Sequence, residues 1–219
     1  MARLHITTKS GRVRVAAEPG AELAVNGGAV VQEPDGSWRV KGTGRSVDVR
    51  CPAGTDLVIG TASGSVDVRG TAGSVRVSCA SGSIEIDHAR EVDARTMSGS
   101  VRVGSCDGEC RVVVASGKVR IGDAGRVAVA GVSGSIEADN VGGGELKSVS
   151  GTVEVGSSAA ERLGVRTVSG KVKVSLPPTA TPRFRLKSMS GRIRCDCPEG
   201  SGCDVDVATV SGSIEVRCR

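Results

Sequence analysis

Cysteine is the residue type in this chain whose number and spacing suit chemistry, either as a metal ligand or as a redox pair. The 219 residues include eight cysteines, and four of these lie close together near the C-terminus. Thiolates at such spacing are ligands that zinc accepts in tetrahedral sites. The candidate metal ligands are Cys195, Cys197, Cys203 and Cys218. Three interpretations stay open: buried thiols, a disulfide between Cys197 and Cys218, and a metal site.

Histidine and serine offer little for catalysis. We expect His5, near the N-terminus, and His88, which follows Asp87, to be solvated or in turns. No serine is expected to have a histidine and an acid beside it, because the serines recur at one repeated position that a single histidine cannot serve. The sequence therefore predicts no catalytic residue, no bound cofactor and no enzymatic activity.

A Ser-Gly pair recurs nine times at intervals of 17 to 21 residues, which indicates a repeat architecture. Glycine adopts backbone conformations that other residues resist, so each pair predicts a corner in the chain. The predicted corner residues are Ser63, Gly64, Ser81, Gly82, Ser98, Gly99, Ser116, Gly117, Ser133, Gly134, Ser150, Gly151, Ser169, Gly170, Ser190, Gly191, Ser211 and Gly212.

Apolar residues occupy fixed positions around each pair. They stand six and four residues before the serine and three and five residues after it, and the residues between them are mostly polar. Alternation of this kind, with β-branched residues, indicates a half-buried strand. Each repeat therefore holds two strands whose apolar side chains point inward. Cys110 and Cys195 fall in these inward columns, and Cys79, two residues before Ser81, also stands at an inward position, where a thiol packs as a small hydrophobe.

The repeats predict an all-β fold, namely a single-chain parallel β-solenoid with about nine coils, each of two strands. Residues 51–219 form the predicted solenoid. Residues 1–50 are less regular and contain the single Trp38, and we expect a β-rich N-terminal cap or degenerate first coils there. With one Trp, one Phe and no Tyr, the interior must be thin and aliphatic.

Stacking in chain order makes specific neighbours. In the outward column four residues after each serine, Glu85 meets Arg102 favourably, whereas Lys173 meets Arg194 unfavourably. Exposed pairs contribute about 0–1 kcal/mol each, so this column tunes the register without holding the fold. Cys197 and Cys218 both stand seven residues after their corner serine, which predicts that they are neighbours in adjacent coils.

The last coil, which ends with Ile214–Arg219, has no cap after it. An uncapped coil leaves backbone groups unpaired, so the sequence predicts binding of a protein partner, or self-association, through the C-terminal coil.

The charge and hydropathy patterns exclude other partners. The net charge of +5 is mild, basic and acidic residues alternate, and stacking aromatics are missing, so we expect no nucleic-acid binding. No signal peptide is visible and no apolar run approaches the ~20 residues that span a bilayer, so we expect no direct membrane insertion. The predicted location is the cytoplasm, where cysteines are mostly reduced.

The run from Val47 to Gly54, followed by Leu57 to Val66, carries a family resemblance, and the tail from Cys197 to Ile214 echoes it. This pattern resembles the DUF4097 "putative adhesin" family of bacterial β-solenoid proteins. The resemblance covers nearly the whole chain. It implies the solenoid fold and carries over no catalytic residue.

Three functions remain as hypotheses. The favoured one is a non-catalytic structural or interaction module that presents repetitive faces to a protein partner or to itself. The first alternative is a cytoplasmic component of a bacterial envelope-stress or regulatory system. The second alternative is a metal- or redox-responsive protein that uses the C-terminal cysteines.

Overall fold

The computed structural model describes residues 2–43, 46–157 and 162–218, in which every regular element is a β-strand. The chain divides into two compact units, residues 1–108 and 109–219. Within the described ranges, no helix has the length and apolar character that crossing a bilayer requires. The all-β prediction is confirmed, and the long parallel ladder is that of a β-solenoid.

The strands longer than nine residues run through a corner or into the next coil. The first unit holds β1 (Arg3–Ser10), β2 (Arg12–Glu18), β3 (Ala24–Asn26), β4 (Gly28–Gln32), β5 (Trp38–Gly42), β6 (Ser46–Pro52), β7 (Asp56–Ser63), β8 (Val66–Ser81) and the start of β9 (Ile84–Val141). The second unit holds the rest of β9, β10 (Gly144–Ser157), β11 (Arg162–Leu176), β12 (Pro182–Ser190), β13 (Ile193–Asp196) and β14 (Cys203–Cys218).

The core of each unit consists of the inward columns that the repeat predicts. Strands β10 and β11 pair in parallel with corner serine opposite corner serine, so that Val153 lies beside Val172. Both valines are fully buried. Burying a Val or Leu side chain contributes about 1.5–3 kcal/mol, which is why a core without large aromatics suffices.

The coils of the first unit do not stack in chain order. Strands β1 and β2 form a coil that pairs with β5 and β6 on one side and with β7 and β8 on the other. The coil of β1 and β2 therefore lies between two others. From it the chain continues to β5–β6 on one side and then to β7–β8 on the opposite side. Two antiparallel strands cover the outer coil, because β4 pairs with β5 and β3 pairs with β6. The division of the chain at residue 50 stays a prediction.

The second unit shows the same inversion. Strand β14 pairs with β11 on one side and with β12 and β13 on the other. The C-terminal coil is thus interior, and the outermost described coil is residues 182–196, which we call the open coil. The prediction that the C-terminal coil forms the uncapped edge is therefore wrong. The apolar sequence columns do not show which coil is outermost, since the C-terminal coil and the open coil carry the same motif.

Charge accounts for part of the inversion in both units. Chain order would put Asp48 beside Asp67, but the observed order places Arg14 between them. It would also put Lys173 beside Arg194, but Glu215 lies between these two cations. A hydrogen bond from Lys171 lowers the pKa of Glu215, which favours the charged form of this carboxylate. Each exposed pair contributes little, but in the inverted order both Arg14 and Glu215 have oppositely charged neighbours in the coils on either side, where chain order would give like charges.

The Arg14→Glu substitution tests this charge effect in the first unit. It should reduce the free energy of unfolding by about 1 kcal/mol, because it lines up three carboxylates in adjacent coils. Urea denaturation at low and high salt measures the loss, which added salt should diminish. The control is Arg12→Glu, which makes the same charge change in β2 opposite Ser46. Equal losses in both variants would contradict the charge argument.

Candidate interaction surface

One set of hydrogen bonds recurs at the corners. The Ser63 carbonyl accepts the N–H of Gly11 at 3.1 Å and the hydroxyl of Thr61 at 3.5 Å. The hydroxyl two residues before the corner makes the same bond in other coils, from Thr96, Ser148 and Thr167. The corner carbonyl thus accepts a backbone N–H of the neighbouring coil and, in addition, a side-chain hydroxyl of its own coil.

The corner glycines lie against one another in successive coils. Gly64, Gly82 and Gly99 have φ angles of 144°, 137° and 144°, a region that side chains disfavour. A Cβ atom on Gly82 would lie 1.8 Å from the carbonyl oxygen of Gly64. We propose that the corner residues are structural, so the glycines cannot be replaced without moving the backbone.

The open coil exposes groups that other coils bury. Strands β12 and β13 pair only with β14 among the described residues, and so their outer backbone groups face outward. Phe184 and Leu186 are only half-buried, and Ile193 is 42% exposed, although they occupy inward columns. The prediction that Cys195 packs in the core is wrong, since Cys195 is exposed on this coil. No further coil covers these columns in the described structure.

The open coil also concentrates positive charge. Among the described residues, none of its five basic side chains forms an ion pair, whereas Lys171, Lys173 and Arg217 of the neighbouring coils do. The five are Arg183, Arg185, Lys187, Arg192 and Arg194, and all are exposed. An edge of this kind repels a second copy of itself and attracts acidic groups.

A second exposed feature runs along the corners of the second unit. Its members each precede a corner serine, and strand pairing makes them neighbours in adjacent coils. They are Val132 (53% exposed), Val149 (48%), Val168 (48%), Val210 (46%) and Met189 (84%). We call these five residues the corner stripe. These residues are apolar in the sequence, but the columns that predict the core do not include the position directly before the serine.

The C-terminal cysteines form a disulfide. Cys197 and Cys218 are bonded, with 5.3 Å between their Cα atoms, which confirms that they are neighbours in adjacent coils. Of the other two candidates, Cys195 is exposed and Cys203 is half-buried, while Cys51, Cys79, Cys106 and Cys110 are buried. Bonded sulfurs offer zinc no thiolates, and the described residues contain no group of three or more His, Cys, Asp and Glu that fits a metal ion.

Reduction of the Cys197–Cys218 bond should loosen the open coil. The bond closes a loop of 21 residues next to this coil, and such a cross-link contributes about 3 kcal/mol in the loop-entropy description. Hydrogen exchange with and without reductant measures the effect. We expect faster exchange in residues 182–196 and no change in β1–β8. Equal exchange rates in residues 182–196 with and without reductant would show that the bond does not stabilise this coil.

His88 contacts a serine and an aspartate that are distant from it in the sequence. Its Nδ1 lies 2.5 Å from the Ser105 hydroxyl, and its Nε2 lies 3.4 Å from an Asp107 carboxylate oxygen. The prediction that no serine has a histidine and an acid beside it is therefore wrong. The three residues form a chain of polar contacts on the surface of β9, and the Asp107 side chain is 65% exposed. A serine nucleophile also needs free donors for the oxyanion, and backbone N–H groups within a strand serve the ladder instead.

Comparison with known proteins identifies a matching family and two structural neighbours. A family model described as Toastrack DUF4097 matches residues 42–218. The crystal structure of a "putative adhesin" from Bacteroides fragilis is 13% identical, with a TM-score of 0.50 over 97% of this chain and 91% of that one. A "putative cell adhesion protein" from Clostridium sporogenes is 9% identical over 100% and 92% of the two chains, with a TM-score of 0.22. No curated protein matches the sequence.

Proposed function

Because the chain belongs to the Toastrack DUF4097 family, we propose that it is a non-catalytic interaction module that binds a protein partner at its open coil. The observation that carries the proposal is the unpaired outer side of β12 and β13. An extended segment of a partner adds to such an edge as a further strand, with main-chain hydrogen bonds for affinity. The adhesin name of the structural neighbour from Bacteroides fragilis agrees with an interaction role but identifies no partner.

The side chains of the open coil select the partner. Phe184, Leu186 and Ile193 lack apolar cover on their outer side. On the inner side, Arg183, Arg185 and Arg194 lie beside Asp204, Asp206 and Glu215 of β14. Acidic groups on the outer side would complement the same basic residues there. A second copy would place arginine opposite arginine, and Pro182 at the start of β12 further limits pairing. We therefore propose an extended acidic segment of another protein as the ligand, and a monomer in the absence of that partner.

Mixing two forms of the chain tests the edge directly. The variant Arg183→Glu/Arg185→Glu/Lys187→Glu turns a basic strand into an acidic one at exposed positions. Each form alone should be monomeric by size-exclusion chromatography with light scattering, whereas an equimolar mixture at low salt should form a one-to-one complex. The control is Arg111→Glu/Lys118→Glu/Arg126→Glu, which makes the same charge change elsewhere in the second unit. A mixture with the edge variant that stays monomeric would exclude strand addition at this edge.

The competing enzymatic hypothesis rests on Ser105, His88 and Asp107. If the module is non-catalytic, Ser105→Ala should not change the rate of p-nitrophenyl acetate hydrolysis, because any background reaction comes from exposed nucleophiles in general. The matched control is Ser116→Ala, at an exposed corner serine whose hydroxyl contacts the Ser133 hydroxyl and, among the residues that the structure describes, no histidine. Loss of a burst phase in Ser105→Ala but not in Ser116→Ala would overturn the non-catalytic assignment.

The disulfide bears on where the module works. A cytoplasmic location remains a prediction, but the Cys197–Cys218 bond favours an oxidising compartment, because structural disulfides are rare in the cytosol. Counting the free thiols of protein that is alkylated in its native cells distinguishes the cytoplasm from an oxidising compartment. Alkylation of all the cysteines indicates the cytoplasm, whereas protection of Cys197 and Cys218 indicates that the bond forms where the protein resides.

A further inference from the structure

The corner stripe is separate from the outer backbone edge of the open coil, and we propose that it is a second docking surface, which takes an acidic amphipathic helix of a partner protein. This inference goes beyond the proposed function, because the stripe offers side chains on the corners and not unpaired backbone. The two surfaces are tested with different variants, so either proposal can fail alone.

The apolar character of the stripe is continuous. Ser190 pairs with Ser211, Ser211 with Ser169, Ser169 with Ser150 and Ser150 with Ser133, so the five preceding side chains form an unbroken row. Neighbours in such a row are about 4.8 Å apart. A contiguous row of exposed apolar side chains marks a candidate interaction site.

The charges beside the stripe point to an acidic partner. In the coils of the stripe, the columns two residues before and three after it contain five basic residues and no acidic one. These are Lys147, Arg166 and Lys187 on one side, and Lys171 and Arg192 on the other. Glu145 contacts Lys147 and Arg166 from the next column, and Glu215 contacts Lys171. Lys187 and Arg192 form no ion pair among the described residues.

The spacing of the stripe fits a helix better than a strand. On a helix, side chains three and four residues apart are about 5–6 Å apart, close to the ~4.8 Å step of the solenoid. On a strand, side chains of one face are about 6.6 Å apart, so that they no longer align with the stripe residues after two coils. A lipid surface fits less well, because the stripe lacks the Trp and Tyr that anchor proteins at a bilayer interface.

The probe is a fluorescein-labelled helical peptide of about 15 residues, with leucines at i, i+3, i+7, i+10 and i+14 and glutamates beside them. Fluorescence anisotropy should show saturable binding to the wild-type chain. A peptide of the same composition with its leucines alternating should bind at least about tenfold more weakly, because it cannot present the row.

Two sets of variants locate the binding. Val149→Ser/Val168→Ser should weaken it at least about tenfold, whereas Val113→Ser, at an exposed valine outside the stripe, should not. The Lys147→Glu/Arg166→Glu/Lys171→Glu variant should no longer bind the acidic peptide. It should instead bind a peptide in which lysines replace the glutamates. Circular dichroism confirms that each variant is folded.

Three results would overturn the inference. One is no saturable binding of the helical peptide to the wild type at low salt. Another is equal binding to the Val149→Ser/Val168→Ser variant, which would place the peptide elsewhere. The third is cosedimentation with phosphatidylglycerol vesicles that depends on the stripe while the peptide does not bind, which would identify an anionic lipid surface as the ligand.

Discussion

Replacement of Gly82 by alanine should reduce the free energy of unfolding by more than about 3 kcal/mol. The added Cβ would lie 1.8 Å from the Gly64 carbonyl oxygen, and the φ angle of 137° is one that alanine disfavours. Neither problem is solved by a side-chain movement, because the obstacle is backbone of the preceding coil. Urea denaturation followed by circular dichroism measures the loss.

Gly60→Ala is the matched control. Gly60 lies in β7 of the same unit, and a Cβ there meets nothing within 4 Å. This substitution should be neutral or slightly stabilising, because it restricts the unfolded chain at no cost to the folded one. Similar losses for both variants would mean that the corner imposes no special demand on glycine.

Ile136→Asp should cost about 4 kcal/mol or more, since it puts a carboxylate among the aliphatic columns of the second unit. Ile136 is 2% exposed, and its partner in the adjacent coil is the buried Val153. The aliphatic neighbours offer the charged form no compensating cation. Thermal unfolding at neutral pH is the measurement, and partial recovery is expected at acid pH, where the aspartate is protonated.

The adjacent residue supplies the control for this prediction. Glu137 points outward and accepts hydrogen bonds from Lys118 and Arg120, which hold the pKa of its carboxyl below the usual range. Glu137→Ser should cost only about 1 kcal/mol, as expected for exposed ion pairs. A larger loss from Glu137→Ser than from Ile136→Asp would contradict the assignment of the inward and outward columns.

The sequence columns predicted the core because each inward position repeats with one chemistry. Val153, Val172 and Ile214 are buried as expected. The exceptions on the open coil, Ile193 and Cys195, satisfy the same pattern but lack a neighbour on one side. Periodicity reports which way a side chain points, and it does not report whether another coil covers it.

The order of the coils was not predictable from the apolar columns, since every coil carries the same motif. Stacking in chain order was the simplest assumption, and the adverse pair of Lys173 and Arg194 was the signal against it. Ser10–Gly11 carried a similar signal in the first unit. It is followed by Val13 and Val15 at the repeat spacing, and Ser10 pairs with Ser63. A search for the motif outside the regular intervals would have found this corner.

Cysteine cross-linking tests the inverted order of the second unit, on which the open coil depends. The background is Cys195→Ser/Cys203→Ser, and the two pairs compared are Lys173→Cys/Glu215→Cys and Lys173→Cys/Arg194→Cys. Adjacent strands are about 4.8 Å apart and next-but-one strands about 9.6 Å, whereas a disulfide requires Cα atoms within about 7 Å. Mild oxidation should cross-link the first pair and leave the second reduced. Efficient cross-linking of the second pair instead would show that the coils stack in chain order and that residues 182–196 are not the edge.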